Sequence, residues 1–512
     1  MCAGNQAATF DASRGGVPPR ANVWSKFMSQ AAASHPSEPP LVVDLDGTLV
    51  KTDLLHEALS AALLKQPLSC HRILGWLAKG RANLKARLAE LVSVDAATLP
   101  YRMDLLGWLR EEKARGRRLV LATAENREVA GKVSQHLGIF DDVLGSDDQV
   151  NLKANAKRDA LVHRFGEGGF AYIGNARDDI PVWTAASQTH VAGRSPGLAR
   201  LLRERGTLGK VFNEPAGTLA ALLQAMRPVQ WAKNLLVLLP LLAAHKLLEA
   251  DAAVHALLAA FVFCLAASSV YILNDLVDLH DDRHHPRKRL RPFASGALPV
   301  TLGWFAWPAL LAAAGALSLA TLPGSFTATL AVYVVLTMAY SCWLKRQPVA
   351  DVVTLAILYT LRLIAGAAAI GVTASFWMLS FSVFVFLSLA LIKRYSELKL
   401  TTDPGGAGKL RGRGYAQRDL QFVAVLGGSA AYTSVLVLAL YVQDERTAAM
   451  YAHPQFIWAA CPIFLFWISR AWLLASRGEM HDDPVVFAAR DRTSWAIAAL
   501  LLATFLLAGF QQ

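Results

Sequence analysis

Three aspartates, Asp275, Asp278 and Asp282, stand close together in the run from Asn274 to Gly296. At about 100° per residue along a helix they fall within about 60° of one another, so three carboxylates project from one face. Such mutual repulsion is costly unless a cation intervenes. Hard oxygen ligands suit Mg²⁺, and Mg²⁺ with open positions binds a diphosphate. Lys288 and Arg291 follow in the same run, and their donors suit phosphate oxygens. A solvated loop of mixed charge fits less well, because His280 and Asp281 already supply ordinary solvation on the other faces.

A second pair of carboxylates stands near the amino terminus. The apolar run Leu41-Val42-Val43 leads into Asp44-Leu45-Asp46-Gly47-Thr48, a strand ending in two acids on one side of an extended chain. Phosphoryl transfer suits this arrangement: Asp44 attacks phosphorus, and Asp46 protonates the leaving oxygen and later activates water. Standing alone, the pair reads equally well as ordinary aspartates at a strand end. Two further strands follow, Arg118 to Ala124 ending in the hydroxyl of Thr123, and Phe170 to Gly174 ending in the acidic turn to Asp179.

The elements that must carry these groups divide the chain in two. From Leu41 to about Arg205 short apolar runs alternate with charged helical stretches, the rhythm of a soluble α/β domain. After Arg227 about nine apolar stretches follow, near 230–246, 253–273, 301–321, 325–342, 350–371, 375–392, 421–442, 455–475 and 493–510, each close to the length that crosses a bilayer. The expected organisation is a disordered tail over 1–39, an α/β domain over 40–210 with a helical cap near 53–110, a linker over 211–226 and an all-α membrane domain over 227–512. The tail has no apolar core of a signal peptide. Composition averages the two solvents: 54% hydrophobic, 18% charged, net charge +12 and mean hydropathy +0.33. That balance excludes fibrous and disordered classes. Five scattered cysteines lack the pairing of a disulfide framework or a zinc site. Histidines 284, 285 and 481 read as hydrogen-bonding groups at the edge of a site rather than as metal ligands.

Loops after the second, fourth, sixth and eighth stretches carry about seventeen Lys and Arg, the intervening ones about two. The bias puts the basic loops, the α/β domain and the aspartate face in the cytosol of an integral inner-membrane protein, with the carboxyl terminus outside. The +12 charge is then mostly topology and anion handling. No groove-reading motif or basic-aromatic repeat points to nucleic acid.

The three strand ends, with Lys157 between the second and third, resemble the signatures of the haloacid dehalogenase-like (HAD) phosphatases over about 165 residues. The resemblance implies Asp44 as nucleophile, Asp46 as acid/base, Thr123 as a phosphate-oxygen donor, Lys157 as charge neutraliser, and Mg²⁺ held by Asp44, Asp46, Asn175 and Asp179. Asn175 departs from the family, which usually has an acid there. An amide oxygen still reaches Mg²⁺, with lower affinity.

The run from Asn274 to Asp282 resembles the Asn-Asp-x-x-Asp-x-x-x-Asp motif of the UbiA-type intramembrane prenyltransferases. Narrower matches, Arg227 to Asn234, Tyr359 to Gly366, Lys393 to Leu398, Asp483-Pro484 and Asp491-Arg492, resemble the decaprenyl-phosphate phosphoribosyltransferase branch. This resemblance implies Mg²⁺ at Asp275, Asp278 and Asp282. It implies substrate contacts at Lys233, Asn234, Asn274, Lys288, Arg291, Lys345, Arg362, Lys393, Arg394 and Tyr395. Arg362 inside an apolar stretch needs a partner or a polar cavity, and the choice lies between Asp351 and a bound phosphate, which the resemblance favours.

The reading is a bifunctional enzyme. One domain moves 5-phosphoribose from phosphoribosyl pyrophosphate (PRPP) to a polyprenyl phosphate, and the other removes the 5-phosphate left on the product. The basic loop after the sixth stretch, with Lys399, Lys409, Arg411 and Arg413, suits substrates that bring extra phosphates. The alternative is transfer of a prenyl group from its diphosphate to an aromatic acceptor, with a separate role for the α/β domain. A transporter or scaffold fits poorly, because apart from Arg362 the charges cluster at helix ends rather than at the midplane. Chain length of the lipid and oligomeric state are not legible.

Overall fold

The computed structural model describes residues 38–65, 70–147, 150–193, 196–212, 217–400, 413–445, 449, 451–480 and 483–509. The tail read as disordered lies outside the described residues as far as residue 37, and so do Lys409, Arg411 and His481.

Strand β1 (Leu41–Val43) is followed by helices α1 (Leu54–Lys65), α2 (Cys70–Ala78), α3 (Arg81–Leu91) and α4 (Met103–Ala114). Then come β2 (Leu119–Asn126), α5 (Arg127–Leu137), β3 (Asp142–Ser146), α6 (Asn155–Phe165), β4 (Ala171–Gly174), α7 (Ile180–Thr184), β5 (Gln188–Ala192), α8 (Pro196–Glu204) and β6 (Leu208–Phe212). The strands form one parallel sheet in the order β3-β2-β1-β4-β5-β6, with Leu41 opposite Leu119 on one side and Ala171 on the other. Alternate side chains feed opposite layers. Leu41 and Val43 join Leu119, Leu121 and Ile173 in one core, and Val42 joins Val120, Ala122 and Tyr172 in the other. The chain leaves β1 for β2 on one side and reaches β4 on the other. That reversal opens a crevice at the carboxyl ends of β1 and β4, the usual ligand position in such sheets. The α/β class expected for this domain, with a helical insertion after β1, is what the sheet shows. The insertion differs in extent from 53–110, because α4 buries Leu105, Leu106 and Leu109 in the sheet core.

The stretch read as a linker contains helix α9 (Thr218–Met226), whose Ala225 and Leu222 pack on Ile272 and Leu276. A 3-10 helix (Pro228–Leu238) runs into α10 (Leu239–Ala243). There follow α11 (Ala250–Val277), α12 (Leu279–His284), α13 (Val300–Thr321), α14 (Gly324–Cys342), α15 (Ala350–Ala369), α16 (Phe376–Leu400), α17 (Leu420–Gln443), α18 (Ala460–Arg477), α19 (Pro484–Arg490) and α20 (Arg492–Ala508).

Seven helices among the described residues, α11 and α13 to α18, are long and apolar enough to cross a membrane, and α19 with α20 makes an eighth bent by 82°. The chain is an integral membrane protein. Of the nine expected crossings, the first is a short apolar helix rather than a long regular one. Pro228 and Pro240 each stand in the first turn of their helices, where a missing N–H costs no ladder bond. Eleven residues of 3-10 helix and five of α-helix would still reach about 30 Å if collinear, because the 3-10 rise is about 2.0 Å per residue. Helices α11 and α15 form the centre and are mostly buried, whereas α13 is mostly exposed. The outer helices turn Phe305, Val335, Val425 and Leu506 outward, as lipid contact requires.

Candidate functional site

In the α/β domain, β1 delivers Asp44 into the crevice. Its Oδ1 accepts from Lys157 Nζ at 2.7 Å and its Oδ2 from the Thr48 hydroxyl at 3.1 Å. Lys157, from the first turn of α6, also donates to Tyr172 Oη at 3.1 Å, and that hydroxyl donates to Asp179 Oδ1 at 2.6 Å. The other Asp179 oxygen accepts from the backbone N–H groups of Asn175 and Ala176, both at 3.0 Å. The chain must turn sharply after Asp46, and Gly47 does so at φ 70° with no room for a Cβ beside Asn175. Asp46 lies beneath α1 and accepts the Leu54 N–H at 3.0 Å. Burial, with the nearby Glu125 and Asp53 carboxylates, holds its carboxyl well above the usual range. Burial also raises Asp44, against the pull of Lys157. Thr123 is fully buried within β2, which runs on to Asn126 rather than ending at this hydroxyl, and the hydroxyl accepts the Glu125 N–H at 3.0 Å. The crevice thus gathers a lysine-paired carboxylate and, beside it, a carboxyl whose ionised form burial and neighbouring carboxylates disfavour.

In the membrane domain, α11 ends at Val277 and α12 begins at Leu279, so Asp275, Asp278 and Asp282 occupy the join. Each meets a cation. Arg291 Nη1 donates to Asp282 Oδ2 at 2.6 Å and to Asp275 Oδ1 at 3.2 Å. Arg227 also donates to Asp275, and Lys345 to Asp278. Arg227 holds a left-handed backbone, φ 56°, rare for a residue with a Cβ, and its guanidinium lies 5.3 Å from the Tyr271 ring. Burial, opposed by Arg291, pushes the Asp282 carboxyl up to about 6. Lys288 is exposed at this mouth, and Asn274 is half-buried.

Deeper, Arg362 Nε donates to Asn234 Oδ1 and Nη2 to Tyr333 Oη, both at 3.0 Å, and its Nη1 caps Leu358 O at 2.6 Å. Its guanidinium also faces the Phe263, Tyr333 and Tyr359 rings at 5.6, 4.9 and 5.2 Å. Beside it Asp483 accepts from Lys233 at 2.7 Å and Lys393 at 2.9 Å. Two expected substrate residues stand elsewhere. Arg394 is sealed against Asp351, and Tyr395 packs edge-on to Trp472 at 5.8 Å between rings. Asp351 is therefore not the partner of Arg362. Sequence reasoning passed over Arg227 and Asp483 as individual contacts, although both lie in the motif runs. Tyr333 and Tyr172 had no signal beyond an aromatic in an apolar segment.

No three His, Cys, Asp or Glu side chains among the described residues converge closely enough to hold a metal ion. The donor chemistry nevertheless suits one: Asp275 Oδ2 is buried with no hydrogen-bond partner, and three carboxylates are a hard-oxygen set.

The sequence profile of the UbiA prenyltransferase family matches residues 235–400. An uncharacterised protein, y4nM, of Sinorhizobium fredii is 37% identical over 471 residues, 92% of this chain and 91% of that one. Decaprenyl-phosphate phosphoribosyltransferase of Mycobacterium tuberculosis is 34% identical over 309 residues, 57% of this chain and 96% of that enzyme. A UbiA homologue from Archaeoglobus fulgidus, solved with DMAPP and Mg²⁺, aligns over 56% of this chain and 98% of its own, with 18% identity and a TM-score of 0.45. This membrane protein, with its aspartate face at a helix join, belongs to the UbiA prenyltransferase family.

Proposed function

We propose that the membrane domain transfers 5-phosphoribose from PRPP to a polyprenyl phosphate, and that the α/β domain then removes the 5-phosphate. The observation that carries this reading is a second cationic group, Arg362 with Lys233 and Lys393, set apart from the arginine-paired aspartates. One anion site serves the donor diphosphate. A second cationic group suits an acceptor that is itself an anion, as a polyprenyl phosphate is. The match to a decaprenyl-phosphate phosphoribosyltransferase over nearly its whole length supports the same choice.

Asp275, Asp278 and Asp282 would hold Mg²⁺, which neutralises charge on the departing diphosphate. Arg291 and Lys288 orient the donor phosphates at the mouth, and Lys345 and Asn274 line it. Lys233, Lys393 and Arg362 hold the lipid phosphate, one of whose oxygens bonds to the anomeric carbon as the bond from that carbon to diphosphate breaks. The acceptor oxygen is already ionised and needs no base. In the α/β domain Asp44 attacks phosphorus while Lys157 offsets the negative charge. Asp46 gives a proton to the departing ribose oxygen and then takes one from the water that attacks phosphorus, which breaks the bond to Asp44, releases phosphate and restores the Asp44 carboxylate. Thr123 donates to a phosphate oxygen, and Asn175 and Asp179 complete the set that would hold Mg²⁺ there. The domain boundary falls at the start of α9. The α/β domain packs on the loop after α11, one of the lysine- and arginine-rich loops, and this supports a cytosolic position for both in the inner membrane.

Membranes containing the full chain, incubated with labelled PRPP and polyprenyl phosphate, should form a labelled lipid that Asp278→Asn abolishes. No product with any of several chain lengths overturns the reading. Turnover of a prenyl diphosphate on an aromatic acceptor, with PRPP inert, selects ordinary prenyl transfer instead. Asp44→Asn should make the 5-phosphorylated lipid accumulate.

A further inference from the structure

Helix α1 touches both candidate sites. At its start the Leu54 N–H holds Asp46, and one turn later Glu57 reaches into the membrane domain. The Glu57 carboxylate accepts from both Nη atoms of Arg283, at 2.8 Å for Nη1, and from the Thr52 hydroxyl at 2.6 Å. Arg283 directly follows Asp282, and its Nε donates to Ala294 O at 3.1 Å. One guanidinium thus ties the beginning of the loop that bears Asp282, Lys288 and Arg291 to its end, and both to the α/β domain. Between those ties the loop has only a single 3-10 turn, Lys288–Leu290.

The contact is built rather than incidental. Arg283 and Glu57 are 7% and 11% exposed, so each charge depends on the other for compensation. His284 Nε2 meets Asp95 at 3.1 Å, and Trp304 Nε1 donates to Ser60 on α1 at 3.0 Å. Gly296, at φ 74°, lets the loop end approach so closely that a Cβ there would lie 2.7 Å from Lys51 Cβ. Arg283 and His284 directly follow Asp282, Gly296 ends the loop that carries Arg291, and Trp304 stands on the helix that follows it.

We propose that α1 is a shared positioning element. The Glu57–Arg283 bridge holds the loop bearing Asp282 and Arg291 in its donor-binding arrangement, while the same helix fixes Asp46. Donor binding by the membrane domain then depends on the presence and seating of the α/β domain. Only the choice of PRPP as probe rests on the function proposed above.

The full chain in lipid nanodiscs tests this with Glu57→Gln, Glu57→Asp and the exchanged pair Glu57→Arg with Arg283→Glu. Hydrogen exchange over residues 279–296 should quicken in Glu57→Gln and return toward wild type in the exchanged pair. The KM for PRPP should rise about tenfold with kcat nearly unchanged, as losses of outer supporting contacts typically do. Unchanged exchange over 279–296 in a folded Glu57→Gln chain overturns the proposal. Should Glu57→Gln not fold, Glu57→Asp bears the same comparison, and failure of all three to fold reduces the pair to a structural tie and also overturns it. A wild-type chain inert toward PRPP counts against the proposed function, and the exchange measurement still decides this inference.

Discussion

Arg394 Nε donates to Asp351 Oδ2 at 2.7 Å, with neither side chain exposed to any degree. The pair joins α16 to α15, and Tyr415 closes it by donating to the other Asp351 oxygen at 2.7 Å. Removing one partner of a buried pair leaves an uncompensated charge, whereas replacing both with apolar groups is often nearly neutral. Arg394→Met alone should therefore cost about 3–5 kcal/mol, read as a lowered unfolding midpoint in detergent. Arg394→Met with Asp351→Leu should recover only part of it, because Arg394 also pairs with Glu397 and the exchange removes that ion pair as well. A single variant as stable as wild type would falsify the structural role.

Gly366 on α15 lets the 3-10 helix come against it, for a Cβ there would lie 2.0 Å from Val237 O. Backbone cannot move aside as a flexible side chain does. Gly366→Ala should cost about 1–3 kcal/mol, the usual range for overpacking. It should also part Arg362 from Asn234, so the KM for the lipid phosphate should rise along with the loss of thermal stability.

Gly47 combines a positive φ with a Cβ position 2.0 Å from Asn175 Nδ2. Gly47→Ala adds about 1–2 kcal/mol of left-handed strain and displaces the Asn175 amide. Removal of 5-phosphate from the lipid product should fall steeply while formation of that product continues. Equal loss of both steps would mean that the two sites do not act separately.

His190 is buried in the α/β domain, its ring 4.9 Å from Trp108 and its Nδ1 accepting the Lys210 N–H at 2.9 Å. Burial, helped by Arg117, pushes its pKa from 6.5 down to about 4. The folded state thus keeps a neutral ring that the unfolded chain protonates below 6.5. Stability from this group is full above that pH and drains away as pH falls toward 4, by up to about 3 kcal/mol. Tryptophan fluorescence should report acid unfolding that is steep through this window in wild type and flatter in His190→Gln.

Much of the plan is legible in local pattern. The buried run Leu41-Val42-Val43 leading into Asp44, the strands that carry Thr123 and precede Asp179, and most of the membrane spans follow from hydrophobic period and length, which neighbouring residues set, although β2 runs past Thr123 to Asn126 and β4 stops at Gly174. The winding of the first membrane segment was not legible, because hydropathy counts residues and is blind to the rise per residue. It winds as a 3-10 helix over Pro228–Leu238, which covers a similar distance with fewer residues.

The sequence by itself determined which residue types could do the chemistry and where the two solvents meet, because an aspartate face needs only helical spacing and a span needs only apolar length. Which cation meets which carboxylate was decided by the tertiary structure alone. Arg362 turned to Asn234 and Tyr333 while Arg394 took Asp351, and Glu57 found Arg283 from the other domain. Those partners lie far apart along the chain, and charge has no periodicity that marks a partner. Packing brings such groups together, and burial makes the pairing obligatory, since a charge left alone away from water costs more than any neighbouring contact returns.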